Sequence, residues 1–140
     1  MNSRDKKIIA ANWKMNPQSL EEAGRLLDGV ILGLQSVNRQ AIELIFVPPY
    51  PYLSELKKRL PKDISLAAQN VAFADRGPYT GEVSALMLKN MGCEYVIVGH
   101  SERRWKLGET DEIVNLKIKQ SLAAGLKPIL AVGEKEEGAD

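Results

Sequence analysis

Two short stretches hold the side chains best suited to chemistry. Asn12-Trp13-Lys14 follows a first apolar run, and Gly99-His100-Ser101-Glu102-Arg103-Arg104 follows a fourth. An ammonium just past a strand end can neutralise a phosphate or a developing oxyanion. Lys14 alone reads as a surface lysine, but Asn12, two residues earlier, offers a partner to fix it by hydrogen bonding. His100 is the only histidine. By position alone it reads as a structural histidine. Its neighbours shift that reading: Gly99 allows a sharp turn, and Ser101-Glu102 opens a polar stretch able to start a short helix. A helix N-terminus disfavours the imidazolium and leaves a neutral hydrogen-bond donor. Glu102 reads as a second acid–base group or, preferred, as a partner holding Lys14 or His100 in place. Arg103, Arg104 and Glu109 read as a structural ion-pair set. Glu134, at a later strand end, reads as part of a solvated run with Lys135-Glu136-Glu137. No cluster has metal-ligand spacing, and no serine or cysteine has a base partner in a recognised arrangement.

The elements that must position these groups alternate strictly. Ile8 to Ala11 is an unbroken apolar run, which predicts a strand buried on both faces. Ser19 and Glu22 have capping-box spacing, and Leu20, Ala23, Leu26, Leu27, Val30, Ile31 and Leu34 recur at helical spacing, so a helix is predicted over 18–34. Strands are predicted over 42–47, 64–68 and 94–98, with Pro48-Pro49-Tyr50-Pro51 ending the second. A short helix carries Leu53, Leu56 and Leu60 on one stripe. A long loop, 69–81, precedes a helix predicted over 82–91, with Gly92 as its stop. Thr110, with Asp111 and Glu112 behind it, starts a further helix ending near Gly125. Pro128 and Ile129 to Val132 form a fifth strand.

The order βαβαβαβαβ argues an α/β fold with a parallel sheet. An open doubly wound sheet of five strands fits the length. An eight-stranded barrel, which typically needs about 250 residues, fits the alternation as its first part. The first βα connection, Asn12-Trp13-Lys14-Met15-Asn16-Pro17, holds no glycine. That argues against a dinucleotide loop there.

Composition removes several function classes. A net charge of +1 gives no electrostatic reason to bind nucleic acid or an anionic membrane. Lys57-Lys58-Arg59, the densest basic cluster, reads as a solvated helix face. The single cysteine, Cys93, excludes an internal disulfide and, in an apolar stretch, reads as a small hydrophobe in a reducing compartment. No run approaches the roughly 20 apolar residues of a membrane span, and the N-terminus has no signal-peptide core. A cytoplasmic location is expected.

Five stretches together carry a resemblance: Ala11-Asn12-Trp13-Lys14-Met15-Asn16, Ala68-Gln69-Asn70, Tyr79-Thr80-Gly81-Glu82-Val83-Ser84, Val98-Gly99-His100-Ser101-Glu102-Arg103-Arg104 and Val132-Gly133-Glu134. The sequence resembles the N-terminal part of the triosephosphate isomerase family. The departures are Ala131, where the family often has cysteine, and the acidic tail after Glu134. The resemblance implies a partial (β/α)8 TIM barrel, strands one to five, with residues 1–140 as one partial domain. It implies interconversion of dihydroxyacetone phosphate and glyceraldehyde 3-phosphate through an enediolate, without a cofactor or metal. Asn12 and Lys14 would contact substrate. His100 would be the neutral electrophile moving protons between two oxygens, this family being the standard instance of a histidine kept neutral by a helix N-terminus. The Tyr79-Thr80-Gly81 loop resembles the segment the family inserts into a neighbouring subunit.

In the family, the carboxylate base and a mobile lid follow the sixth strand, and phosphate-gripping loops follow the seventh and eighth. None has a counterpart here, and Glu134, after strand five, is a poor stand-in for the base. The expectation is therefore an N-terminal subunit or fragment, completed by a complementary C-terminal barrel chain. The alternatives are a non-catalytic, self-associating partial barrel and a different sugar-phosphate isomerase on the same barrel.

Overall fold

Side-chain period fixes the layers. Along the second strand Ile45 and Val47 alternate with Leu44 and Phe46, and the two sets point to opposite faces. The computed structural model describes residues 6–133. Its strands are β1 (Lys7–Asn12), β2 (Ile42–Val47), β3 (Ile64–Ala68), β4 (Tyr95–Val98) and β5 (Lys127–Leu130). They pair in parallel, in sequence order. The helices are α1 (Leu20–Leu34), α2 (Leu53–Arg59), α3 (Ala85–Asn90), α4 (Ser101–Lys106) and α5 (Asp111–Ala123). The result is a curled half-barrel: the first five strands of a (β/α)8 barrel, with helices alternating between them. The open doubly wound alternative is set aside.

Two apolar cores lie between the sheet and its helices. One joins Leu66, Val96 and Val98 to Leu53, Leu88 and Val114. The other joins Phe46 and Ile64 to Ala23, Leu27 and Leu56. The opposite face of the sheet carries Ile45, Val47, Ala67, Tyr95 and Ile97, packed with Ile129. Cys93 is buried in the first core, and burial pushes its thiol up to about 12.

The helix starts follow their caps. Ser19 Oγ accepts the Glu22 amide, so α1 opens at Leu20 rather than Gln18. Glu22 turns back to the Gln18 amide, 3.2 Å away, one residue earlier than a standard capping box would place it. Gly24 is buried in α1 because the Arg59 guanidinium, paired with Asp28, crosses it. A Cβ there would lie 2.3 Å from Arg59 Nη1. Helix α3 begins at Ala85, three residues after the expected Glu82. Ser84 Oγ caps the Met87 amide, and the Ala72 amide holds the Val83 carbonyl in an extended link at 2.9 Å.

The first strand departs from expectation. Ile8 and Ile9 are 58% and 49% exposed. The apolar run is real, but β1 is an edge of the described sheet and has one neighbour, β2. At the opposite edge, β5 ends at Leu130, short of the expected Val132; Leu130 is 45% and Val132 82% exposed.

Candidate active site

Parallel strands deliver their following loops to one edge of the sheet, the carboxyl edge where such folds place ligands. Strand β1 ends at Asn12. Its Oδ1 accepts the Lys14 amide at 2.9 Å, a side-chain turn that folds the chain back at once. Lys14 itself sits at φ 55, in the left-handed region that non-glycine residues seldom occupy. Gln69, just past β3, braces this turn. Its Nε2 donates to the Lys14 carbonyl at 2.7 Å and to the Val47 carbonyl at 3.0 Å. Sequence reasoning assigned Gln69 no role. Its signal was present, because it lies in one of the matching stretches.

Strand β4 ends at Val98, and Gly99 (φ 70) makes the turn. A Cβ on Gly99 would lie 2.8 Å from Arg104 Nη2, while Arg104 Nε donates to the Gly99 carbonyl at 2.7 Å. The turn ends in His100, the N-cap of α4. His100 Nδ1 accepts the Glu102 amide at 3.3 Å. With Nδ1 occupied as an acceptor, the neutral ring carries its proton on Nε2.

Glu102 joins the two halves. Oε1 accepts Lys14 Nζ at 2.6 Å, and Oε2 lies 3.5 Å from His100 Nδ1. The Lys14 ammonium, through its hydrogen bond, holds the Glu102 carboxyl below the usual range, against an opposing effect of burial. The fold thus brings together Asn12, Lys14, His100 and Glu102, which are 88 residues apart at the widest bridged pair. They line an open cavity of about 400 Å³ together with Gln69, Asn70, Tyr50 and Arg103. A smaller cavity of about 150 Å³, bounded by Gly99, Trp105, Ala131 and Val132, is also lined by His100.

The expected ion-pair set is rearranged. Arg103 reaches Glu109 at 3.4 Å, but Arg104 pairs with Asp111 at 2.6 Å. Glu109 also pairs with Lys117, buried in α5 and 2.8 Å from Asn70 Oδ1. That buried lysine was not legible in the sequence, because it stands among other charged residues on a weakly amphipathic helix. Glu134 lies outside the described residues. Among the described residues no group of three His, Cys, Asp or Glu side chains could hold a metal ion. No helix among them is long and apolar enough to cross a membrane.

These groups can stabilise negative charge: an ammonium, an imidazole N–H and a side-chain amide border one cavity. Among the described residues, Glu102 is the one acid bordering the cavity, and it is held by Lys14. The family model described as triosephosphate isomerase matches residues 7–140. The chain belongs to the triosephosphate isomerase family. A triosephosphate isomerase of Chlorobium luteolum is 49% identical over 138 residues, covering 95% of this chain and 54% of that protein. One from Dehalococcoides mccartyi is 50% identical over 131 residues, covering 93% and 50%. One from Trichodesmium erythraeum is 47% identical over 136 residues, covering 96% and 56%. The chain spans about half the length of these curated relatives.

Proposed function

We propose that this chain supplies the electrophilic half of a triosephosphate isomerase site. The observation that carries this reading is the convergence of Lys14 and His100 on one cavity through Glu102. Dihydroxyacetone phosphate would lie with its carbonyl oxygen toward His100 Nε2 and Lys14 Nζ. As a base removes the C1 proton, charge builds on that oxygen. The imidazole N–H and the ammonium stabilise it, and interactions of this kind lower the barrier because they strengthen in the transition state. His100 then passes protons between the two oxygens of the enediolate, and reprotonation at C2 gives glyceraldehyde 3-phosphate. Asn12 holds the Lys14 turn and contacts substrate. Glu102 keeps the ammonium aimed.

The base, the lid and the phosphate loops belong to a complementary C-terminal piece with three further strands, as a separate chain or a continuation of this one. The Tyr79-Thr80-Gly81 loop is the natural contact with a neighbouring subunit. Tyr79 stacks edge-on to Phe73 at 5.0 Å and stays 42% exposed. A cytoplasmic setting accords with the single free, buried cysteine.

Mixing the chain with the C-terminal half of a relative tests the reading. Isomerisation should appear on mixing and be absent from either piece alone. A well-formed complex without turnover would refute it. The exposed apolar edges at Ile8, Ile9 and Leu130 favour one rival, a self-associating module without activity, which the same mixing separates.

A further inference from the structure

The loop that carries Lys14 has little backbone support of its own. The Trp13 amide donates to the Val47 carbonyl at 3.1 Å, and Ser19 caps α1. Between them, among the described residues, no backbone–backbone hydrogen bond reaches residues 14–18. Packing does not hold the start of this stretch either, because Lys14, Met15 and Asn16 are exposed. Yet Lys14 keeps a left-handed backbone. That conformation costs a non-glycine residue free energy and persists only where its surroundings enforce it. Backbone groups without a ladder are held by side chains or by solvent.

Here side chains hold it. The Lys14 carbonyl accepts from Gln69, the Met15 carbonyl from Gln18 at 2.8 Å, and the Pro17 carbonyl from the Tyr52 hydroxyl at 3.0 Å. Gln18 lies inside the stretch. The carbonyl ties from later elements are Gln69 at its start and Tyr52 at its end. Tyr52 is well placed for this. It closes a single 3₁₀ turn, Tyr50–Tyr52, after β2, where its amide donates to the Pro49 carbonyl at 3.1 Å. Its ring packs against the core of Ala23, Leu27, Phe46 and Leu56. A tyrosine so placed anchors its apolar body and extends one polar atom from it. The core that seats α1 and β2 thus reaches the loop through one hydroxyl.

We propose that Tyr52 is a positioning residue for Lys14: its hydroxyl pins the Pro17 end of the loop, so that the Lys14 ammonium stays on Glu102 at the cavity. The kinetic consequence rests on the reaction proposed above. The placing of the ammonium does not, and it is measurable without substrate.

Tyr52→Phe removes the hydroxyl and keeps the ring. A carboxyl NMR titration of the full chain reads the result at Glu102, which Lys14 lowers most, with His100 and Lys106 acting in the same direction. In Tyr52→Phe the Glu102 midpoint should rise part of the way to its value in Lys14→Ala. A tyrosine that only stabilises the fold would leave the midpoint of the folded variant where it was, and that result would overturn the assignment whatever the activity. So would a crystal structure of the native chain with the Tyr52 hydroxyl away from the Pro17 carbonyl, a measurement that needs no variant. In the enzyme completed by a relative's C-terminal half, Tyr52→Phe should lower kcat about tenfold with KM within about threefold, because the ammonium acts on charge that builds in the transition state. A raised Glu102 midpoint with normal kcat would support the positioning and tell against the catalytic reading of Lys14.

Discussion

At the scale of single residues, the site depends on which atom of each side chain is committed. His100, which borders the cavity, commits Nδ1 to the α4 backbone and so leaves Nε2 as the donor of the neutral ring. Gln in its place keeps a donor but loses the ring's fixed geometry and its ability to pass a proton. In the completed enzyme His100→Gln should lower kcat by about 10²–10³, the cost of one oxyanion donor, and Lys14→Ala should do at least as much. Steady-state kinetics with both near normal would reject these roles. Glu102 carries a pH signature. Lys14 lowers its folded pKa below the unfolded value, so this contact contributes stability above the usual carboxylate range and loses it as pH falls through the folded pKa. An NMR titration should place the Glu102 carboxyl midpoint below that of an exposed reference glutamate, and Lys14→Ala should return it upward. An unshifted midpoint in the native chain would show that the pair does not form in solution.

At the scale of elements, caps and turns set the register that delivers these atoms. Helix α1 holds Gly24 and two open glycines, Gly29 and Gly33, so its own propensity is weak. Its stability rests on Ala23 and Leu27 in the core and on Ser19 at its start. Ser19→Ala should cost about 1 kcal/mol in denaturant unfolding, and Ser19→Asp should restore it. A cost near zero for alanine would mean that packing alone fixes this helix. The short helix α4 is positioned differently. His100, Arg103 and Arg104 all engage neighbouring backbone or ion pairs, so its place is set by contacts at its start and middle rather than by length.

At the scale of the whole molecule, the described sheet is open at both sides. Strands β1 and β5 each have one paired neighbour, and half-exposed Ile8, Ile9 and Leu130 lie along them. Unpaired ladder groups beside apolar side chains invite another strand. The chain alone should self-associate with rising concentration in sedimentation velocity. A complementary half should suppress that and protect the outward amides of β1 and β5 from hydrogen exchange. A chain that stays monomeric, with those amides unchanged on mixing, would show that the edges are not the docking surface.

Much of this was legible before any coordinates. The runs at 42–47 and 64–68 matched β2 and β3 residue for residue, because buried strands between prolines and polar turns leave local chemistry little choice. Ser19 and Thr110 announced their helices by capping chemistry that acts within three residues. Asn12, Lys14, His100 and Glu102 were legible as residue types at strand ends. Tertiary structure decided the rest, because it joins residues that the chain keeps far apart. It placed Lys14 Nζ on Glu102 across 88 positions, set Gln69 under the Lys14 turn, buried Lys117 against Glu109, and left the apolar first strand exposed. Apolar character states that a strand can be buried; whether it is buried depends on a neighbour that no local pattern contains.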